Sequence, residues 1–252
     1  MGDFSMGSKL TITLGASLCA LAVVSPASAA DLGSGFSVTG GTTLVSDYRF
    51  RGISQTDKRF AIQGTFSINH KSGFYATVWG SSIDDYVAAG SNAEIDLIGG
   101  YRKTFGNTTV DVGVLYYYYP GSHGVDTDFV EPYASVAQVI GPVTAKLTAN
   151  YSPKQSALTV GFGKEDNLYL AGDLSASIPK TPIGLTAHLG HSYGPSYLTI
   201  GRGYTDWSLG ATLTYKQIVA GLAYVDTNKD LYSPRGRNIS GSGIVASLGV
   251  SF

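Results

Sequence analysis

The residues able to pair, bind or filter fall at every second position of short segments. In the run Ser46–Thr56, Asp47, Arg49 and Arg51 alternate with Ser46, Tyr48 and Phe50. Successive side chains of a strand point to opposite faces, so this run read as a strand has one charged face and one aromatic face. The same alternation puts Glu94, Asp96, Glu131 and Asp206 on the polar faces of later segments. At the other ends of such segments it places Arg102, Asp111 and Lys146. Arg49 and Arg51 facing those carboxylates across a water-filled mouth would set up a transverse field able to orient and filter solutes. The competing expectation is that these charges pair with one another, hold a rim in register and block the passage.

Other chemistries find less support. Adjacent residues of a strand point to opposite faces, so His191 and Ser192 form no dyad. His188 has one possible acid, Asp173, on a neighbouring segment. A nucleophile needs a base within hydrogen-bond reach and a third group to orient it, and no run of this chain has that grade of pattern, so no enzyme is expected. The four histidines are scattered without ligand spacing, and Asp226 to Asp230 lacks the glycine and closing glutamate of a calcium loop. Neither a metal nor a cofactor is expected.

The elements that must position these charges are strands. Phe36 to Arg51 alternates throughout, and the return segment sets Phe60, Ile62, Phe66 and Ile68 against Gln63, Thr65, Ser67 and Asn69. The cleanest segment opposes Val143, Ala145, Leu147, Ala149 and Tyr151 to Thr144, Lys146, Thr148, Asn150 and Ser152. The sidedness of Phe74–Ser82 is less marked, and the face taken by Trp79 stays open. Continued to the end, the pattern gives twelve strands, with ten or fourteen as alternatives because Ala157 to Gly163 could extend or add one. Connections near residues 70, 105, 141, 180 and 216 are short; those near 55, 87, 124, 159, 197 and 234 are long. Strict alternation of short and long connections is the signature of a transmembrane, antiparallel, up-and-down β-barrel with periplasmic turns and extracellular loops. Whether the connection from Pro153 to Glu165 folds into the lumen is not readable.

Composition agrees. Charged residues make up 14%, against 33 glycines and 17 tyrosines, which suits an all-β chain. A formal net charge of −1 excludes a phosphate-binding surface, so no nucleic-acid partner is expected. Lys9, the apolar run Leu10 to Val24 and the small residues Ala27 to Ala30 read as a secretory signal peptide over residues 1–30, leaving 31–252 as one barrel domain. Cys19, the single cysteine, falls in that leader. Beyond it no run reaches the ~20 apolar residues of a spanning helix, so a chain resident in a membrane must cross as a closed barrel. Aromatics near strand ends, Tyr48, Phe50, Tyr101, Tyr116, Tyr118, Tyr151, Trp207, Tyr215 and Tyr224, are expected at the lipid–water interface. A terminal Phe252 with apolar residues at alternate positions before it resembles the ending that barrel assembly machinery reads in the bacterial outer membrane.

The run Ser46-Asp47-Tyr48-Arg49-Phe50-Arg51-Gly52-Ile53-Ser54-Gln55 resembles the hallmark segment of the TorF family of proteobacterial outer-membrane porins. Glu131, Asp206-Trp207 and Tyr224-Val225-Asp226-Thr227 are similar to that family as well. The resemblance implies an outer-membrane, porin-like channel. Twelve strands suggest passive diffusion of small polar solutes through a narrow pore in outer-membrane lipid. The alternative is a structural or adhesive barrel with a charge-blocked lumen and partner-binding loops.

Overall fold

The computed structural model describes residues 30–252. The expected leader lies outside the described residues except for Ala30. Fifteen strands follow in order: β1 (Ala30–Gly33), β2 (Phe36–Val45), β3 (Arg49–Phe50), β4 (Ile53–Ser54), β5 (Ala61–His70), β6 (Phe74–Ser82), β7 (Ala93–Phe105), β8 (Thr108–Tyr118), β9 (Phe129–Ile140), β10 (Val143–Ser152), β11 (Asn167–Ser177), β12 (Ile183–Tyr193), β13 (Tyr204–Tyr215), β14 (Ile218–Thr227) and β15 (Gly243–Ser251). Twelve of them, β2 and β5 to β15, form a closed antiparallel barrel, because β2 pairs with both β5 and β15. Closure leaves no barrel strand with an unpaired edge, which is the condition for crossing lipid with strands. β1 runs along the part of β2 that β15 leaves uncovered.

At the seam, the Phe252 backbone exchanges hydrogen bonds with Gly40 at 3.0 and 2.9 Å. A Cβ on Gly40 would lie 2.6 Å from the Phe252 ring, so the seam accepts the terminal aromatic only where β2 carries a glycine.

The outer wall is apolar: Ile62, Phe66, Val112, Leu147, Leu185, Leu209, Leu222, Ile244 and Leu248 are all exposed there. Large apolar side chains left in contact with the surroundings along nearly every strand are the mark of a lipid-facing band. Tyr116, Tyr151 and Tyr224, at the ends of strands leading into long connections, donate their hydroxyls to Asp128, Asp166 and Asp226. Tyr101, Tyr118, Trp207 and Tyr215 also lie on the outward face.

All the long connections leave from one end of the barrel and all the short turns from the other. The first long connection departs from expectation. The barrel strand β2 stops at Val45; the chain then turns away from the wall and enters the lumen as a small hairpin, β3 paired with β4. Its turn is Arg51-Gly52, with φ of 48° and 79°. A two-residue turn with both φ values positive matches the right-handed twist of the strands it joins. A Cβ on Gly52 would come within 2.8 Å of Asp206 Cβ, so both the backbone and the space demand glycine. The connection 153–166 also folds inward. It carries no barrel strand but a short 3-10 turn, Ser156–Leu158, that buries Leu158 completely.

Candidate functional site: the lumen and its plug

The lumen has two halves. Toward the long connections it is a packed core in which Tyr48, Trp79, Ile98, Leu115, Tyr117, Phe129 and Leu158 join one apolar cluster. Tyr48 and Phe50, expected at the lipid interface, lie instead inside the barrel, because they belong to the inserted hairpin rather than to the wall. Tyr48 is 3% exposed and its ring centroid is 5.4 Å from that of Trp79. Phe50 meets Tyr117 edge-on at 6.0 Å. Trp79, whose face the sequence left open, points inward.

The charged groups of this half are dry, and both arginines are paired. Arg49 and Arg51 are each 2% exposed, and neither stands on the barrel wall. Arg49 turns back on its own hairpin: its Nε is 2.5 Å from Asp47 Oδ2, and its Nη1 donates to the carbonyls of Gly52, Ile239 and Gly241 at 2.8 to 3.2 Å. Arg51 crosses the lumen. Its Nη2 donates to Glu131 Oε2 on β9 at 2.7 Å and its Nη1 to Asn167 Oδ1 on β11 at 3.0 Å. The guanidinium lies 4.2 Å from the Tyr169 ring centroid and 4.8 Å from that of Phe50. Tyr117, Asn150 and Ser152 also donate to Glu131, at 3.1, 3.0 and 2.8 Å. A buried ion pair holds only when its remaining lone pairs are satisfied in this way.

Glu94 and Asp96 face the same core. Glu94 accepts the Tyr48 hydroxyl at 2.9 Å. Asp96 is fully buried with no hydrogen-bond partner on either carboxyl oxygen. Its cross-strand neighbours are Trp79 and Tyr117.

Toward the short turns the character changes. Inward residues such as Ser37, Thr39, Thr43, Thr65, Ser247 and Gly249 are half-buried, whereas Val45, Ala61 and Val245 on the same strands near the other end are buried. An inward side chain meets solvent only through the lumen, so water enters this half as a vestibule beside these residues, whereas Ser67, Asp111, Thr144 and Lys146 of the same half stay buried. Its charges form a belt of alternating sign along one wall: Arg102 on β7, Asp111 on β8, Lys146 on β10, Asp173 on β11, His188 on β12 and Asp206 on β13. Arg102 Nε donates to Asp111 Oδ2 at 2.8 Å, and Lys146 is the direct cross-strand partner of Asp173. Among the described residues, no charged side chain points inward from β14, β15, β2, β5 or β6. The belt climbs from the short-turn end at Arg102 to the packed half at Asp206, following the tilt of the strands.

At its upper end His188 sits between two carboxylates. Its Nδ1 is 2.7 Å from Asp173 Oδ1 and its Nε2 is 3.0 Å from Asp206 Oδ1. The Tyr169 hydroxyl is 2.9 Å from that same Nε2 and 3.1 Å from Asp206 Oδ2. Tyr169, absent from the residues the sequence singled out, thus joins the belt to the plug: its hydroxyl meets His188 and Asp206, and its ring carries Arg51.

The mouth is latched above the plug. Asp84 of the connection 83–92 receives Arg235 of the connection 228–242 at 2.7 Å, and also pairs with Arg59 of the first connection. Burial pushes the Asp84 carboxyl up, but hydrogen bonds from Arg235 and Arg59 outweigh it and hold the group below the usual carboxylate range. Lys229 Nζ reaches the carbonyls of Thr199 and Arg202, tying the last long connection to the one before it.

No curated protein matches the sequence. Several solved structures share the fold. A NanC porin superposes with a TM-score of 0.57 at 12% identity, covering 85% of this chain and 98% of that one. An outer membrane channel from Pseudomonas putida F1 superposes with a TM-score of 0.52 at 12% identity, covering 90% and 98%. The model of a family described as a bacterial protein of unknown function, Gcw_chp, matches residues 29–252, essentially the whole barrel with the hairpin and belt described above, and the chain belongs to that family.

Proposed function

We propose that the chain is a porin-like channel of the bacterial outer membrane, for passive diffusion of small hydrophilic solutes, closed in this conformation by its first extracellular connection. One observation carries the reading: the obstruction is separable from the wall. Residues 46–60 are joined to the barrel covalently only through β2 and β5, and most of the ties on their charged groups are hydrogen bonds and ion pairs. Beneath them the barrel keeps a polar, water-accessible vestibule. The resemblance of Ser46–Gln55 to the TorF family supports the same reading. So does the likeness in fold to porins and channels.

In this reading residues 1–30 are the export leader, Phe252 at the β2–β15 seam is the mark for the assembly machinery, and the outward tyrosines sit at the lipid boundary. The protein acts without catalysis. Both ring nitrogens of His188 engage carboxylates, so the imidazole has no nitrogen left to take a proton from a nucleophile.

Replacing residues 47–59 by a short glycine-serine turn tests the channel. In planar bilayers the intact protein gives rare, small openings, and the shortened protein gives sustained conductance at least about tenfold larger, since the wall of a twelve-strand barrel is then relieved of its filling. A shortened protein that folds yet stays silent overturns the channel. That outcome favours the second reading, a structural barrel with a charge-blocked lumen and partner-binding loops, for which the dry Arg51–Glu131 pair speaks.

A further inference from the structure

The contacts between belt and plug carry a consequence for how the lumen opens, and it rests on the reading of the hairpin as the closing element. We propose that His188 is a positioning residue for the plug: it holds Tyr169 and Asp206 under the hairpin only while it carries both ring protons, so that the plug releases as the vestibule becomes alkaline.

Geometry requires the charged imidazole. Ionised carboxylates only accept hydrogen bonds, and His188 has one at each ring nitrogen, 2.7 and 3.0 Å away. A neutral ring carries one N–H and one lone pair, so on losing a proton it turns a lone pair toward Asp173 or toward Asp206. Two charge-assisted contacts then become one, and one carboxylate is left without its donor.

The consequence reaches the plug by two routes. Asp206 is 1% exposed and packs against the hairpin turn, where a Cβ on Gly52 would meet Asp206 Cβ at 2.8 Å. A carboxylate at that seat that has lost its imidazolium partner is costly in a dry site. The second route is Tyr169, whose hydroxyl lies within reach of both Asp206 and His188 Nε2 while its ring lies 4.2 Å from the Arg51 guanidinium. When Nε2 turns from donor to acceptor, the hydroxyl has two competing acceptors in place of one, and the ring beneath Arg51 loses its fixed orientation.

Access comes from the vestibule, because the Asp173 side chain is 34% exposed and the His188 side chain 10%. The groups facing His188 are Asp173 and Tyr169 from β11 and Asp206 from β13. Behind them stand Lys146 on β10, Arg102 and Asp111 beyond it, and Arg51 from the hairpin. Between about pH 6 and about pH 9 an imidazole changes charge. Glu94, which accepts from Tyr48, and Asp96, opposite Trp79, are carboxyls buried beside the reporter, and substitution of His188 and Tyr169 separates their contribution from that of the imidazole.

The test reads the plug directly. The chain has two tryptophans, so Trp207→Phe leaves Trp79, packed on Tyr48 of the hairpin connection, as the single emitter. In detergent, the emission of the Trp207→Phe protein is expected to move to the red as pH rises from about 6 to about 10, reversibly, as water replaces Tyr48. On the same background His188→Gln abolishes the step. Tyr169→Phe keeps the ring under Arg51 but removes the hydroxyl, and flattens the step with the barrel intact by circular dichroism. In bilayers, openings follow the pH of the vestibule-side chamber and ignore the other.

A pH-independent emission in the protein retaining His188 overturns the proposal, as does a step of unchanged size in either variant. A red shift that depends on His188 but brings no conductance sustains the proposal and removes the channel reading. Conductance that rises with pH while Trp79 emission stays fixed does the reverse.

Discussion

The two halves of the lumen use charge in opposite ways. Toward the long connections, Arg49, Arg51, Glu94, Asp96 and Glu131 are buried among aromatic rings, and all but Asp96 are met by a specific neighbour. Toward the short turns, Arg102, Asp111, Lys146, Asp173 and His188 line a wall opposite small uncharged residues, with water reaching Arg102 and Asp173 while Asp111 and Lys146 stay buried. The difference teaches that inward-facing charges in a barrel have no fixed role: what fills the space beside them decides whether they close a lumen or line it. Here one inserted hairpin makes that division.

Four changes press on the contrast, beginning with the largest effect. Arg51→Ala leaves the fully buried Glu131 without its cation, and breaking a buried pair costs about 3–5 kcal/mol. Arg102→Ala breaks a pair whose arginine side chain is 20% and whose aspartate 5% exposed, but Tyr75 and Tyr133 still donate to Asp111, so the loss is expected to be smaller, about 1–3 kcal/mol. Equilibrium unfolding in urea with detergent measures both, and equal losses would erase the distinction between a dry and a wet half.

Asp96→Val acts in the opposite direction. Replacing a buried carboxyl that has no hydrogen-bond partner on either oxygen by an apolar side chain is expected to stabilise the barrel by about 1–2 kcal/mol, seen as a raised unfolding midpoint. A loss of stability would mean that the carboxylate is held by something the packed half supplies.

The smallest effect belongs to the latch. Asp84 titrates below its unfolded value of about 3.9, so its contribution is complete above about pH 4 and is lost as pH falls through the lower folded value. Amide exchange in residues 228–242, corrected for intrinsic rate, should quicken in that acid range, and Asp84→Asn should give the quick exchange already at neutral pH. Exchange indifferent to both would show that Arg235 and Arg59 hold nothing at the mouth.

The wall was legible because period-two alternation is imposed residue by residue when one face meets lipid and the other water. Val143–Ser152 reads the same in sequence and in structure. So does the neighbourhood of His188 and Asp173, since the short turn 178–182 fixes the register of β11 against β12. Alternation misled at Val45. The hairpin strands also alternate, so the pattern runs on through Arg51 although the wall has ended. Two signals were present. Phe36 to Arg51 is longer than the ~9–11 residues a tilted strand needs to span, and Arg51-Gly52 is a two-residue turn with glycine second. Tyr169 and Leu158 gave no signal, since nothing local marks a tyrosine that will lie under an arginine from the far side of the lumen.

The sequence by itself determined a closed antiparallel barrel, the ends at which its long and short connections lie, and which face of nearly every strand meets lipid. Those follow from local alternation and connection length. Only the tertiary structure decided that Tyr48 and Phe50 belong to the interior, that Arg51 reaches Glu131 across the lumen, and that Tyr169 ties the plug to His188. Each of those contacts joins residues far apart along the chain, and their partners exist only once the wall has closed around them.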